Sequence, residues 1–527
     1  MSSRDAGAAE PSAALKRPTR IAVIGAGSAG LAMAQQALDV GRDQVQLVVF
    51  EREGHVGGLW HYCPTPGPCE VRGATDGSPG LARFADWPDH PALPPSAMYD
   101  GLRTNIASDI MAYRDEPFVQ GLSLFPARAD VEAYLDAFAD HYDLRKYIRF
   151  NTHVVHVERS QHMWSVTVRD AQGERTEAFD ALVCAQGRCS VPYIPSIPHM
   201  DRFRGKQLHS AWYRTPTDFR GQRIVVVGSN SSGCDITREL MGGTVREFPG
   251  MNEWQRDTLQ DPPRTQVEVF QSYHNPDEPP PMDYDPRDPQ APAWCKRIQV
   301  VGPITHVDTD GALVLQDGTR LANIDTIVWA TGFLYQVPFT TRGEPFVSRP
   351  LIPPVGTPGV RVAPEANAAS VLENMDDWLL FYEGAPNLVF LGLPNRIVPF
   401  PLAQLQSRVA ANVFLGKMPP LPRVRSDLPM SDPQRWEPQP ANDHHSQPLW
   451  RDWTFGASSE IAYHDALLAL LPGPQSKERP PGEQQYLEHN DGRGEGVHPP
   501  EGWYQFAQWR RDRRIHGKEL RRETLGY

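Results

Sequence analysis

Gly25, Gly27 and Gly30, with Ser28 among them, carry the spacing of a loop that cradles phosphate. Gly25 permits a tight turn, Gly27 admits a pyrophosphate close to the backbone, and Gly30 lets the next helix pack on the preceding strand. Phosphate would then sit at a helix N-terminus, where unpaired N–H groups and the helix dipole favour negative charge. Glu51 ends the following apolar run, ~20 residues on, where a carboxylate hydrogen-bonds a ribose hydroxyl. Behind it, Gly57-Gly58-Leu59-Trp60 offers a second close backbone approach, which suits FAD better than a nicotinamide cofactor. Gly228, Asn230, Ser231, Ser232 and Gly233 repeat the pattern with Asn230 at the middle glycine. Asparagine tolerates left-handed backbone better than other non-glycine residues, so the turn can survive.

The elements that must position these residues read as α/β. Ile21–Ile24 and Val45–Phe50 are buried strands flanking an alanine-rich helix, and Gln222–Val227 and Thr265–Gln271 flank the second turn. Asp130 to Tyr142 has helical spacing, with Asp130 placed as N-cap. Phe150–Val157, Met163–Arg169, Phe179–Ala185, Ile327–Phe333 and Pro386–Leu393 read as strands, and Leu402–Leu415 as a helix. Seven prolines and five acids mark residues 275–292 as a loop insertion. The expected architecture is two Rossmann-like dinucleotide-binding domains: a discontinuous FAD domain, residues 18–205 and 330–425, with an NADPH domain, 206–329, inserted. Residues 1–17 read as a disordered arm, and 426–527 as a proline-rich linker with a helical extension running from Trp503 to Leu525. Its arginines could attract anionic lipid, but read better as a helix face docked by Trp503, Phe506 and Trp509.

Composition bounds the function. The chain has 527 residues, 40% hydrophobic and 22% charged, with 52 prolines that imply long loops. A net charge of −12 argues against nucleic acid as a partner. With no secretory h-region and no run of ~18 apolar residues, a cytoplasmic location without a membrane span is expected. The six cysteines then read as reduced thiols, and no metal site is expected. Nothing in the sequence sets the assembly beyond allowing a homodimer.

Phe203-x-Gly205-x-x-x-His209-x-x-x-Tyr213, lying between the two glycine turns, resembles the fingerprint of the class B flavin-dependent monooxygenases. The closest likeness is to the flavin-containing, dimethylaniline-type members, with a fungal one as the expectation, over roughly residues 18 to 425. Leu102-Arg103-Thr104-Asn105, Ala330-Thr331-Gly332 and Gly392-Leu393-Pro394 support it. The resemblance implies FAD and NADPH as cofactors and O2 as co-substrate. A C4a-hydroperoxyflavin would oxygenate a soft small-molecule nucleophile: an amine nitrogen, or a sulfide or thiol sulfur. By motif position it implies Asn105 as the catalytic residue, since an amide both donates and accepts without changing protonation. Thr104, Val154, Thr331 and Gly332 join the glycines, Ser28, Glu51, Leu59 and Trp60 as cofactor contacts, and His209 links domains rather than acting as a base. His274 stands where an NADP-selecting arginine is expected, and an imidazole holds a 2′-phosphate less firmly than a guanidinium. NADPH preference therefore weakens toward NADH or rests on another residue such as Arg238.

Three rivals share parts of the pattern. A Baeyer–Villiger monooxygenase wants tryptophan at Tyr213, and Trp212 lies one residue early. A disulfide reductase would use Cys63 and Cys69, but five residues intervene, three of them proline. A degenerate flavoprotein acting as an interaction module would keep FAD and lose reduction by a nicotinamide cofactor.

Overall fold

Runs of β-branched and apolar residues that are buried on both faces form parallel strands covered by helices. Residues 21–23 illustrate this, each 0% exposed. The computed structural model describes residues 18–72, 80–84, 95–243, 267–340, 369–439, 453–472 and 508–526, without the single positions 115, 161, 190 and 283, plus residues 256 and 346. The expected N-terminal arm lies outside these residues. The first sheet has six strands in the order Phe381–Tyr382, Ala385–Phe390, Ala181–Cys184, Thr19–Ile24, Val45–Phe50, Ile148–Arg149, parallel except for the hairpin at its start. Its register aligns Ile24 with both Phe50 and Cys184, so the glycine turn, Glu51 and Ala185 emerge together at the carboxyl edge. α1 (Ser28–Gly41) leaves that turn, the single-turn α2 (Ser108–Met111) sits in the Asn105 segment, and α3 (Arg128–His141) follows. Asp130 is the third residue of α3 rather than its N-cap: its carboxylate reaches back to accept the Ala127 N–H at 2.9 Å.

The second sheet is wholly parallel, ordered Lys206–His209, Thr326–Trp329, Arg223–Val227, Glu268–Ser272, Gln299–Val301. α4 (Ser231–Leu240) follows its turn. A four-stranded sheet of Phe333–Leu334, Val191–Ile194, Gly80–Phe84 and Cys69–Arg72 is built from the crossovers between the two units. Two antiparallel three-stranded sheets complete the β-structure, one of which contains the strand Gly173–Phe179 that no sequence pattern marked.

The late chain returns to the first unit, as a discontinuous FAD domain requires. α5 (Pro399–Phe414) packs on α1, where Arg408 pairs with Asp39 and donates to Gln36 Oε1 at 3.0 Å. The proline-rich stretch is more than a linker. Arg435 is fully buried, and the Trp436 ring lies tilted 4.9 Å from Trp378 and edge-on 5.3 Å from Tyr463 on α6 (Ala457–Leu470). The expected single terminal helix, whose residues 503–507 lie outside the described residues, is broken at His516 into α7 (Gln508–Ile515) and α8 (Gly517–Leu525). Among the described residues no helix is long and apolar enough to cross a membrane.

Candidate active site

At the first turn Gly25 has φ +101° and donates its N–H to Phe50 O at 2.8 Å. A Cβ on Gly30 would fall 1.9 Å from Gly25 O, so the helix can approach only without a side chain. The Gly57-Gly58 doublet closes on this turn: Gly57 N–H bonds Ala26 O at 3.1 Å, and a Cβ on Gly58 would lie 2.9 Å from Gly27 Cα. Glu51, buried, accepts from Ala26 N–H at 2.7 Å and from Glu53 N–H at 2.9 Å. It therefore braces the turn, and each oxygen keeps a further lone pair for a hydroxyl. Gly27 has no side chain to cap α1, and no acid occupies the first helical turn, so its leading N–H groups suit a pyrophosphate. Trp60 packs edge-on to Phe400, and Leu59 is exposed beside it.

The second turn repeats this geometry. Gly228 has φ +120°, and a Cβ on Gly233 would fall 2.1 Å from Gly228 O. Asn230 has φ −89°, an ordinary extended conformation, so the middle position needs no left-handed residue and the tolerance of asparagine is not called upon. Its side chain caps nothing on α4; its oxygen instead lies 3.5 Å from Arg396 Nη2. Asn230 and Ser231 are exposed, Ser232 half-exposed, and no acid occupies the first turn of α4. The donors present therefore fit a second dinucleotide. His274 is exposed just beyond the neighbouring strand Glu268–Ser272. Arg238 is buried and paired with Asp235.

Asn105 lies on a loop fixed by Thr104, whose hydroxyl donates to Ile106 O at 2.7 Å and whose N–H bonds Pro126 O at 3.0 Å. Thr104 holds the loop, while the Asn105 carboxamide makes no hydrogen bond among the described residues. Farther along, the Tyr113 hydroxyl donates to Ser28 O, tying this segment to the first turn. Val154 is buried and paired with Val168 in an antiparallel sheet, two residues beyond Thr152, whose N–H donates to Glu51 O at 2.8 Å. Thr331 donates to Tyr193 O, and Gly332 O accepts from Tyr193 N–H at 2.9 Å and from His209 Nε2 at 3.0 Å.

The fingerprint residues join the units. A Cβ on Gly205 would meet Asp325 O at 2.6 Å, and the Tyr213 hydroxyl donates to Glu239 Oε2 at 2.8 Å. His209 is fully buried and accepts the Ala211 N–H at Nδ1; burial pushes its pKa down to about 3, so the ring is neutral and is no base. Burial also pushes the Cys69 thiol up to about 12, which disfavours the thiolate that disulfide exchange needs. Sequence patterns missed the arginines that grip this region. Arg214 donates to Cys63 O, Ala211 O, Tyr213 O and Ser96 O, and Arg513 and Arg521 reach the Asn105 loop from the C-terminal helices.

Comparison with known proteins agrees with this geometry. A flavin-binding monooxygenase-like family model matches residues 69–247, and an NAD(P)-binding Rossmann-like domain model matches 23–81. Flavin-containing monooxygenase FMO GS-OX5 of Arabidopsis thaliana is 31% identical over 408 residues, 76% of this chain and 74% of that protein. FMO GS-OX-like 7 of the same plant is 30% identical over 411 residues, 76% and 74%. The solved S-allyl-L-cysteine S-oxygenase of Allium sativum is 27% identical with a TM-score of 0.55, over 77% of this chain and 78% of its own. Tmm from a Pelagibacter strain, at 21% identity and TM-score 0.54 over 76% of each chain, shares the fold. Two glycine turns on parallel sheets, the linking fingerprint and these relatives place the chain in the flavin-containing monooxygenase family, with FAD and NADPH as its cofactors.

Proposed function

We propose that this chain uses NADPH and O2 to oxygenate a soft heteroatom of a small molecule, nitrogen or sulfur, with sulfur of a thioether as the first candidate. The observation that carries it is Asn105, an unengaged amide on a loop braced by Thr104, while the fingerprint imidazole of His209 is neutral and tied into the scaffold. Oxygen transfer to a nucleophile needs such a residue, one that orients without exchanging a proton. When bound, FAD and NADPH supply the redox chemistry, including the activation of O2. The protein's residues bind and orient: the Gly25–Gly30 turn with Glu51 and Gly58 would hold FAD, and the Gly228–Gly233 turn would hold NADPH. Trp60 and Tyr113 both pack on Phe400, an aromatic group that would keep water from the flavin.

Sulfur is favoured because the garlic relative is named for S-oxygenation of S-allyl-L-cysteine. The two parallel sheets support domain limits of 18–205 with 330–425 and of 206–329, and six cysteines without a disulfide suit the reducing cytoplasm. The test is FAD-loaded protein supplied with NADPH and O2 and a panel of thioethers, tertiary amines and ketones. One sulfoxide or N-oxide per NADPH is expected. Peroxide alone across the panel, or a lactone or ester from a ketone, would overturn the reading.

A further inference from the structure

The C-terminal arginines converge on the ends of one short segment. From α7, Arg513 Nε lies 2.9 Å from the buried Asp109 carboxylate, and Arg510 Nη2 donates to Asp109 O at 3.1 Å. From α8, Arg521 Nη2 donates to Arg103 O at 3.1 Å, while its Nη1 lies 3.2 Å from Asp235 Oδ1 on α4. Asn105 sits between the two gripped points, Arg103 and Asp109. The same pair of helices also reaches the second turn's neighbour, because Arg514 donates to Arg396 O at 2.8 Å while pairing with Glu460 at the same distance.

Arg521 is 4% exposed, so both of its contacts are made away from water, where charge-assisted hydrogen bonds are strong. A planar fork can serve two acceptors in fixed directions, which a lysine ammonium on a flexible stem cannot reproduce. We propose that α7 and α8 form a clamp, and that Arg521 is a positioning residue which fixes the Asn105 loop relative to the helix of the second nucleotide turn. The arginines that the sequence offered as a lipid-binding face are thus spent within the chain. This inference rests on the reading of Asn105 and the second turn given above.

Asp235 keeps Arg238 and the Tyr99 hydroxyl, at 2.8 Å, when Arg521 is removed, so Arg521→Met leaves a partnered carboxylate and a folded protein. The experiment compares FAD-loaded wild type, Arg521→Met and Arg521→Lys by hydrogen–deuterium exchange and by NADP+ titration. Arg521→Met is expected to speed exchange at residues 102–106 and at the start of α4 together, and to raise the NADP+ Kd on the order of tenfold. Arg521→Lys should restore α4, where a charge suffices, and leave the loop loose. Faster exchange confined to α8, with loop and Kd unchanged, would overturn the proposal. Should Arg521→Met fail to fold, the lysine variant decides alone: a loop as protected as in wild type refutes the clamp. Neither readout needs substrate, so a failed oxygenation assay leaves the result intact.

Discussion

His209 shows how much one neutral side chain can carry. Its Nε2–H donates across to Gly332 O while Nδ1 accepts Ala211 N–H, so both nitrogens are used and one tautomer is selected. His209→Ala should cost about 2 kcal/mol or more, as a cavity and an unpaired buried N–H, read as a lowered Tm. With a pKa near 3, His209 contributes no limb to the pH–rate profile between pH 5 and 9. Asn105 has the opposite character: Asn105→Ala should leave Tm nearly unchanged and lower turnover about 100-fold, the scale of a lost transition-state donor. Equal losses of stability and activity would assign it to the loop instead. The geometry of the two glycine turns and of Glu51 was legible because what such a turn asks of the backbone is written in local spacing. Arg521 and Arg513 were not, because their meaning lies in partners Arg103, Asp235 and Asp109, hundreds of residues away in the chain.

Each glycine turn works only as part of its strand and helix. Gly30→Ala would place a methyl 1.9 Å from a backbone oxygen that no side-chain rotation can move. A loss of about 1–3 kcal/mol is expected, with weakened FAD retention read by flavin fluorescence after gel filtration. Asn230→Gly, by contrast, should change NADPH affinity by less than about twofold, since φ −89° asks nothing special of the residue. A large gain in affinity would show that the asparagine obstructs the phosphate. Element types were readable from period and apolar runs, so the parallel strands around both turns appear within a few residues of their expected limits. What failed was context. Asp130 looks like a cap in sequence, but Ala127 holds the N-cap position, and Gly173–Phe179 is too polar to announce itself because one of its faces meets solvent.

Two carboxylates on one face of α4 link the whole molecule's stability to pH. Asp235 and Glu239 are both buried, one turn apart. Burial would raise Asp235, but Arg238 and Arg521 outweigh it and hold its pKa at about 2, so that it is charged. Glu239 has a weaker hand: burial pushes it up to about 8, the nearby Asp235 charge adds to this, and the Tyr213 hydroxyl and Arg238 only partly oppose. Burial likewise pushes Asp376, under its backbone donors, up to about 7. The folded chain thus keeps protons on Glu239 and Asp376 that the unfolded chain releases near pH 4 to 4.5. Between there and pH 7 to 8 the native state binds more protons, so unfolding free energy falls as pH rises. Asp235 acts in the other sense, and its contribution is lost only on acidification toward pH 2. Calorimetry of the FAD-loaded protein should therefore show a Tm highest near pH 5 and declining to pH 8. Glu239→Gln keeps a carbonyl for the Tyr213 hydroxyl and removes the proton that must be released, so it should flatten that decline and stabilise the protein most at pH 8. If the slope is unchanged in this variant, Glu239 is charged in the folded protein, and the arginines Arg238 and Arg521 serve both carboxylates rather than Asp235 alone.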